Sequence, residues 1–303
     1  MARLNKFEAM LNITMRRKAA QFTKLIRHSV LQRRSGETYE PVLANSGELG
    51  ITFIGHSGFF IQIAGKNILI DPNFARWLFI LKRLRKPGLR IRELPPIDYV
   101  LVTHAHFDHL HRPSLRRIAR NTLRLTGRAP KIIVPSGVTD LVETLGYSEI
   151  TELSWWEAYE EGELLVTHVP AAHWGARMIH DTHRGYGGYV LHGKEQSLYH
   201  AGDTAYFDGF RTIGEKLNPE IALLPIGAYQ PESFRAVHAS PEDALQAFLD
   251  LGAEWMIPMH YGTFKLSHEP MNEPVERLVA AAEKERVSDK VLVLDEGVPA
   301  FFQ

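Results

Sequence analysis

The run Thr103-His104-Ala105-His106-Phe107-Asp108-His109 follows directly on the apolar stretch Asp98-Tyr99-Val100-Leu101-Val102, so a strand feeds a loop of donor side chains. Three imidazoles and a carboxylate in the spacing HxHxDH offer the nitrogen and oxygen donors that suit zinc or a similar divalent ion. Alternate residues of an extended loop project to one side. His104 and His106 can therefore grip one ion, while Asp108 and His109, coming off the next turn, can serve a second ion close by.

Working outward, further donors recur at the ends of expected strands. Residues 163–169 run into Pro170-Ala171-Ala172-His173-Trp174, residues 197–200 into Ala201-Gly202-Asp203-Thr204, and residues 255–259 into His260. Strand ends on one edge of a layered sheet converge on a crevice, which gathers His173, Asp203 and His260 with the loop. Upstream, residues 68–70 form a buried strand ending at Asp71-Pro72, and Asp71 is a candidate partner for a metal-binding histidine. His28, His168, His180, His183, His192 and His268 lack such company and read as structural or exposed. His111, beside the loop, reads as a non-ligand.

The rest of the chain alternates strands and helices. Strands are expected at residues 50–54, 59–63, 131–135, 187–191, 221–226 and 290–294, and helices at 114–121, 137–145, 207–217 and 273–286. A further helix starts at Ser240 with a serine cap, Pro241 in the first turn and the acids Glu242 and Asp243 behind it. No low-complexity linker interrupts this order, which predicts one domain over residues 41–303, preceded by a basic arm at residues 1–40.

With 45% hydrophobic residues in 303, a sizeable core is available, and zero formal charge gives no general argument for nucleic acid. The absence of cysteine removes disulfides, thiolate metal sites and cysteine nucleophiles. No apolar signal region or span-length window is present, so a cytoplasmic protein is expected, soluble or attached peripherally to a membrane. The local charge distribution bears on that attachment. Residues 1–34 carry nine basic side chains against Glu8 alone, and the arm is expected to lie on anionic lipid or pack on a partner subunit of a homodimer. Trp77, Leu78, Phe79, Ile80 and Leu81 abut Lys82, Arg83, Arg85 and Lys86, a second combination suited to a lipid surface.

These residues resemble the metallo-β-lactamase superfamily and, within it, the branch of N-acyl-phosphatidylethanolamine-hydrolysing phospholipase D. The resemblance runs from about Gly50 onward. It rests on Gly55-His56-Ser57, Asp71-Pro72, Glu93-Leu94-Pro95-Pro96-Ile97-Asp98, the HAHFDH loop, Leu153-Ser154-Trp155-Trp156-Glu157, Ala172-His173-Trp174, Ala201-Gly202-Asp203-Thr204, Pro225-Ile226-Gly227-Ala228-Tyr229 and His260-Tyr261-Gly262-Thr263-Phe264. It implies an αββα sandwich, two packed mixed sheets flanked by helices. It also implies two Zn2+, one on His104, His106 and His173, the other on Asp108, His109 and His260, with Asp203 bridging them. His238 matches a histidine that lies near the site in that branch; preceding it, Val237 stands where the branch commonly has glutamine. His56 and Tyr229 are expected behind the ligands or lining the pocket.

The expected activity is phosphodiester hydrolysis of phospholipase D type on N-acyl-phosphatidylethanolamine or a related glycerophospholipid, with a metal-bridging hydroxide attacking phosphorus. Asp108 and His238 are the expected catalytic side chains. The same donor set also accepts Mn2+, Fe2+ or Co2+. A metal-dependent hydrolase of a soluble lactone or phosphoester is the alternative, and a nuclease using the basic arm a more remote one.

Overall fold

The computed structural model describes residues 32–178 and 180–303. Most of the basic arm lies outside the described residues. Of its last residues, Ser35 pairs with Arg85 and the amide of Tyr39 donates to the carbonyl of Gly88 at 2.7 Å.

Two mixed sheets form the body. The first has seven strands in the order β15-β1-β2-β3-β6-β7-β8. These are β1 Leu49–Gly55, β2 Gly58–Ile63, β3 Lys66–Ile70, β6 Tyr99–Leu101, β7 Lys131–Pro135, β8 Glu149–Leu153 and β15 Pro299–Phe302. Its first four members run antiparallel to their neighbours, whereas β3, β6, β7 and β8 are parallel. The second sheet has six strands, β14-β13-β12-β11-β10-β9: β9 Ala158–Glu161, β10 Leu164–Val169, β11 Gly188–His192, β12 Ser197–His200, β13 Ile221–Pro225 and β14 Trp255–Met259. A separate small hairpin is formed by β4 Trp77–Leu78 and β5 Leu81–Lys82.

Period-two alternation explains the layering. Ile51, Phe53, Phe59, Ile61, Ile68, Ile70, Tyr99, Leu101 and Ile133 face the core shared with the second sheet. Their neighbours Ile54, Phe60, Leu69, Val100, Val102, Ile132 and Val134 face outward into a separate cluster. Leu115 and Ile118 of helix α1, Arg112–Thr126, cover that outer cluster. Helices α3 Gly209–Leu217, α4 Pro241–Leu251 and α5 Glu273–Glu285 contribute Ile213, Phe248 and Leu278 to the shared core. The result is the expected αββα sandwich.

Sequence and structure part in four places. Helix α2 spans only Thr139–Val142. Strands β8 and β9, partly exposed and rich in glutamate, lack the apolar run that marks a strand. No strand forms at residues 290–294: Val291 makes a single bridge to Met256, and the last strand is β15, paired antiparallel with β1. There the alternation is masked because Leu292 and Leu294 pack against the core only partly.

Candidate metal centre

Every donor follows the end of a strand on one edge of the sandwich: His56 after β1, Asp71 after β3, the His104 loop after β6, His173 after β10, Asp203 after β12 and His260 after β14. His238 precedes α4, whose start carries the capping box formed by Ser240 and Asp243. Thus seven segments distant in sequence meet at one place.

Two groups of four donors result. His104, His106, His173 and Asp203 form one, and His56, Asp108, His109 and His260 the other; within each group the donor atoms lie within 4.8 Å of one another. His104 Nε2 is 2.9 Å and His173 Nε2 3.3 Å from His106 Nδ1. Ligands at about 2.0–2.1 Å on a tetrahedral ion sit about 3.4 Å apart, so this spacing fits a cation. Asp203 Oδ2 stands between the groups, 3.2 Å from His260 Nε2, 3.3 Å from His109 Nε2 and 3.9 Å from both His104 Nε2 and His173 Nε2.

Hydrogen bonds behind the imidazoles fix which nitrogen faces inward. Thr103 donates its amide and hydroxyl to the Asp71 carboxylate at 2.8 and 2.6 Å. With that hydroxyl proton committed, His104 Nδ1 donates to Thr103 Oγ1 at 3.0 Å. His109 Nδ1 donates to Asp71 at 2.6 Å and His173 Nδ1 to the carbonyl of Val237 at 2.9 Å. All three therefore turn Nε2 into the site.

The site carries buried polar atoms that no hydrogen bond satisfies: His109 Nε2, both ring nitrogens of His260, Asp203 Oδ1 and His238 Nδ1. Orphans at such density are costly unless a ligand meets them. Two divalent cations fit this donor set.

The electrostatics agree. Burial pulls His173 down to about 3 and His56 and His238 to about 4, and burial with neighbouring imidazoles lowers His104 well below its ordinary value. These rings are neutral at pH 7 and free to bind metal. For His109 and His260 burial acts the same way, but nearby carboxylates, Asp203 foremost, overcome it and raise both. Asp108 and Asp203 stay ionised against burial because protonatable imidazoles surround them.

Backbone strain also concentrates here. His56, Asp71 and His260 have φ of 64°, 45° and 62°, a left-handed conformation that side chains rarely adopt. A Cβ on Gly227 would lie 2.1 Å from the carbonyl oxygen of His260, so only glycine lets β13 run into the His260 loop at this distance.

The beta-lactamase superfamily domain is matched over residues 66–261. The chain belongs to the metallo-β-lactamase superfamily. It is 32% identical over 246 residues to N-acyl-phosphatidylethanolamine-hydrolyzing phospholipase D 1 of Caenorhabditis elegans, covering 75% of this chain and 68% of that one. It is 33% identical over 251 residues to a UPF0173 metal-dependent hydrolase of Methanopyrus kandleri, covering 82% of this chain and 97% of that one. Among solved structures, Igni18, a metallo hydrolase from Ignicoccus hospitalis, superposes with a TM-score of 0.62 at 25% identity, over 84% of this chain and 99% of its own. The chain is a metal-dependent hydrolase of the metallo-β-lactamase fold.

Within this metallo-β-lactamase domain the remaining predicted residues take distinct places. His56 Nε2 is 2.9 Å from Asp108 Oδ2, inside the second donor group. His238 stacks on His260 with ring centroids 5.4 Å apart, its Nδ1 3.8 Å from Asp203. Tyr229 joins neither group; its hydroxyl donates to Glu273 at 2.7 Å. His111 caps α1, accepting from the amide of Ser114.

Sequence reasoning passed over three supports. Asn73 Nδ2 donates to the carbonyl of Asp108 at 2.7 Å. His200 takes the amide of Gly202 at 3.1 Å, holding the turn before Asp203. Arg177 Nη1 donates to the carbonyls of Ala105 and Leu110 at 2.6 and 2.9 Å, and its guanidinium lies 3.7 Å from the Phe107 ring centroid. Asn73 follows Asp71-Pro72 closely enough to have been suspected; nothing in the pattern signals Arg177.

Proposed function

We propose that the chain is a phosphodiesterase of phospholipase D type, acting on N-acyl-phosphatidylethanolamine or a related glycerophospholipid. The observation that carries this reading is the pair of four-donor groups meeting at Asp203, with His238, whose Nδ1 makes no hydrogen bond, beside them. The printed activity of the Caenorhabditis elegans relative supports the choice of substrate.

His104, His106 and His173 would hold one cation and Asp108, His109 and His260 the other, with Asp203 shared between them. Two such cations, zinc or another divalent ion, supply Lewis acidity toward a phosphoryl oxygen and bring the pKa of water from about 15.7 to near 7. With Asp108 and Asp203 as the only carboxylates in the groups, the loaded site is net positive and attracts a phosphodiester anion. His238, neutral at pH 7, is placed to hydrogen-bond the substrate or assist the departing alcohol. His56 orients Asp108 through their hydrogen bond. At the mouth, the exposed Trp174 lies 4.4 Å from the His173 ring and 4.9 Å from that of His106, an apolar lip beside a charged site that suits an amphiphile.

Mass-spectrometric screening of the zinc-loaded protein tests the reading. Release of an N-acylethanolamine from phospholipid vesicles, abolished by Asp203→Asn, is the expected result. Turnover of soluble lactones or phosphoesters with no lipid cleavage would replace it with the soluble-substrate alternative.

A further inference from the structure

A cavity of about 330 Å3 is lined by five cationic side chains, Arg34, Lys86, Arg90, Arg92 and Arg117, and by no acidic one. None of its lining residues belongs to the metal-binding groups. Arg90 and Arg92 share Glu93 at 2.9 and 3.2 Å. Among the described residues Arg34, Lys86 and Arg117 have no acidic partner. Arg34 Nε is buried without any hydrogen bond, and Arg76 faces its guanidinium as a like charge. Lys86, Arg90, Arg92 and Arg117 are exposed and Arg34 is half-buried, so the cluster stands open to a solvent anion, which charge-assisted hydrogen bonds from several of these side chains would hold.

The sequence around it shares this bias. Residues 74–92 and 110–139 each carry seven basic side chains and no acid, in a chain whose formal charge is zero, although Arg83 is buried and Arg85 and Lys131 pair with glutamates elsewhere. Phe74, a lining residue, leads into the β4–β5 hairpin, whose Trp77, Phe79 and Ile80 are 39%, 74% and 41% exposed. Its base is tied to α1, the helix of Arg117, by the amide of Phe74 donating to Ser114 Oγ at 2.9 Å. Apolar side chains projecting beside unpaired cations match the boundary between acyl chains and phosphates. A nucleic acid would satisfy the cations but not the hairpin.

We propose that this cavity, which shares no residue with the metal-binding groups, receives the phosphate of an anionic phospholipid while the tip of the hairpin, where Phe79 packs on Phe107 of the ligand loop at 4.5 Å, enters the acyl boundary and docks the domain on a membrane. The choice of a lipid occupant rests on the reading of the substrate given above; the cationic cavity does not.

The test is co-sedimentation of the full chain with phosphatidylcholine vesicles, with and without phosphatidic acid. Stronger binding to the anionic vesicles is expected, weakened about tenfold or more in Lys86→Glu/Arg117→Glu, since each basic residue at an anionic surface contributes about fivefold. Lys284→Glu/Lys290→Glu, the same charge change near the C-terminal helix, should weaken binding much less. Metal content and melting temperature verify that the variants fold. Equal weakening by both pairs, or none by the first, overturns the proposal. So does binding of inorganic phosphate or a DNA oligonucleotide in the absence of vesicle binding. N-acylethanolamine release is read separately: vesicle docking without lipid cleavage leaves this site standing and removes the substrate assignment.

Discussion

His109 donates from Nδ1 to Asp71 at 2.6 Å, and both side chains are fully buried. The contact fixes the tautomer and the direction of a ring whose other nitrogen faces Asp203. Asp71 is also the acceptor for both the amide and the hydroxyl of Thr103, so one carboxylate braces the start of the histidine loop and its end.

Asp71→Asn should therefore weaken the metal centre without touching a ligand. Asparagine tolerates the left-handed backbone at this position, φ 45°, so the fold survives and the acceptor charge is lost. Zinc affinity, measured by competition with a chromogenic chelator, should fall about 10–100-fold.

Gly227→Ala tests the close approach of β13 to the His260 loop. A methyl group 2.1 Å from the His260 carbonyl oxygen must push that segment away. Stability to denaturant should drop by about 1–3 kcal/mol, and metal analysis should show selective loss of one ion.

The histidine loop, Asp203 and His260 were legible because each sits where an apolar run stops, and position at a strand end can be read from hydrophobic pattern alone. Asp71 was legible for the same reason, with proline marking the exit from the sheet. What escaped depends on packing between distant segments. Arg177 reaches the ligand loop from a stretch with no periodic pattern, and the strained backbones of His56 and His260 lie where two segments distant in sequence meet, the amide of His260 donating to the carbonyl of His56 at 2.7 Å. The strand expected at residues 290–294 failed because the run is only partly buried, with Val293 42% exposed, and makes one bridge, from Val291 to Met256.

Arg177→Ala should loosen the ligand loop at both ends. Metal affinity and turnover should each fall about 10–100-fold. Arg177→Lys should recover little, because an ammonium cannot reproduce the planar stack on Phe107 together with the paired donors.

Acid should destabilise the metal-free chain through His168. Burial lowers this imidazole to about 4 from an ordinary 6.5, so as pH falls the unfolded chain takes up a proton before the folded one does. Its stabilising share is complete above pH 6.5 and is lost on the way down to pH 4, an effect of about 3 kcal/mol. Urea unfolding across this range should show a flatter acid limb for His168→Gln than for the wild type.

The two donor groups meeting at Asp203 are expected to hold two cations. Zinc titration of the metal-free protein, with bound metal counted per chain after desalting, tests this most directly. About two ions are expected in the wild type and about one each in His104→Ala and His260→Ala. A single ion in the wild type, or an unchanged count in both variants, would contradict it.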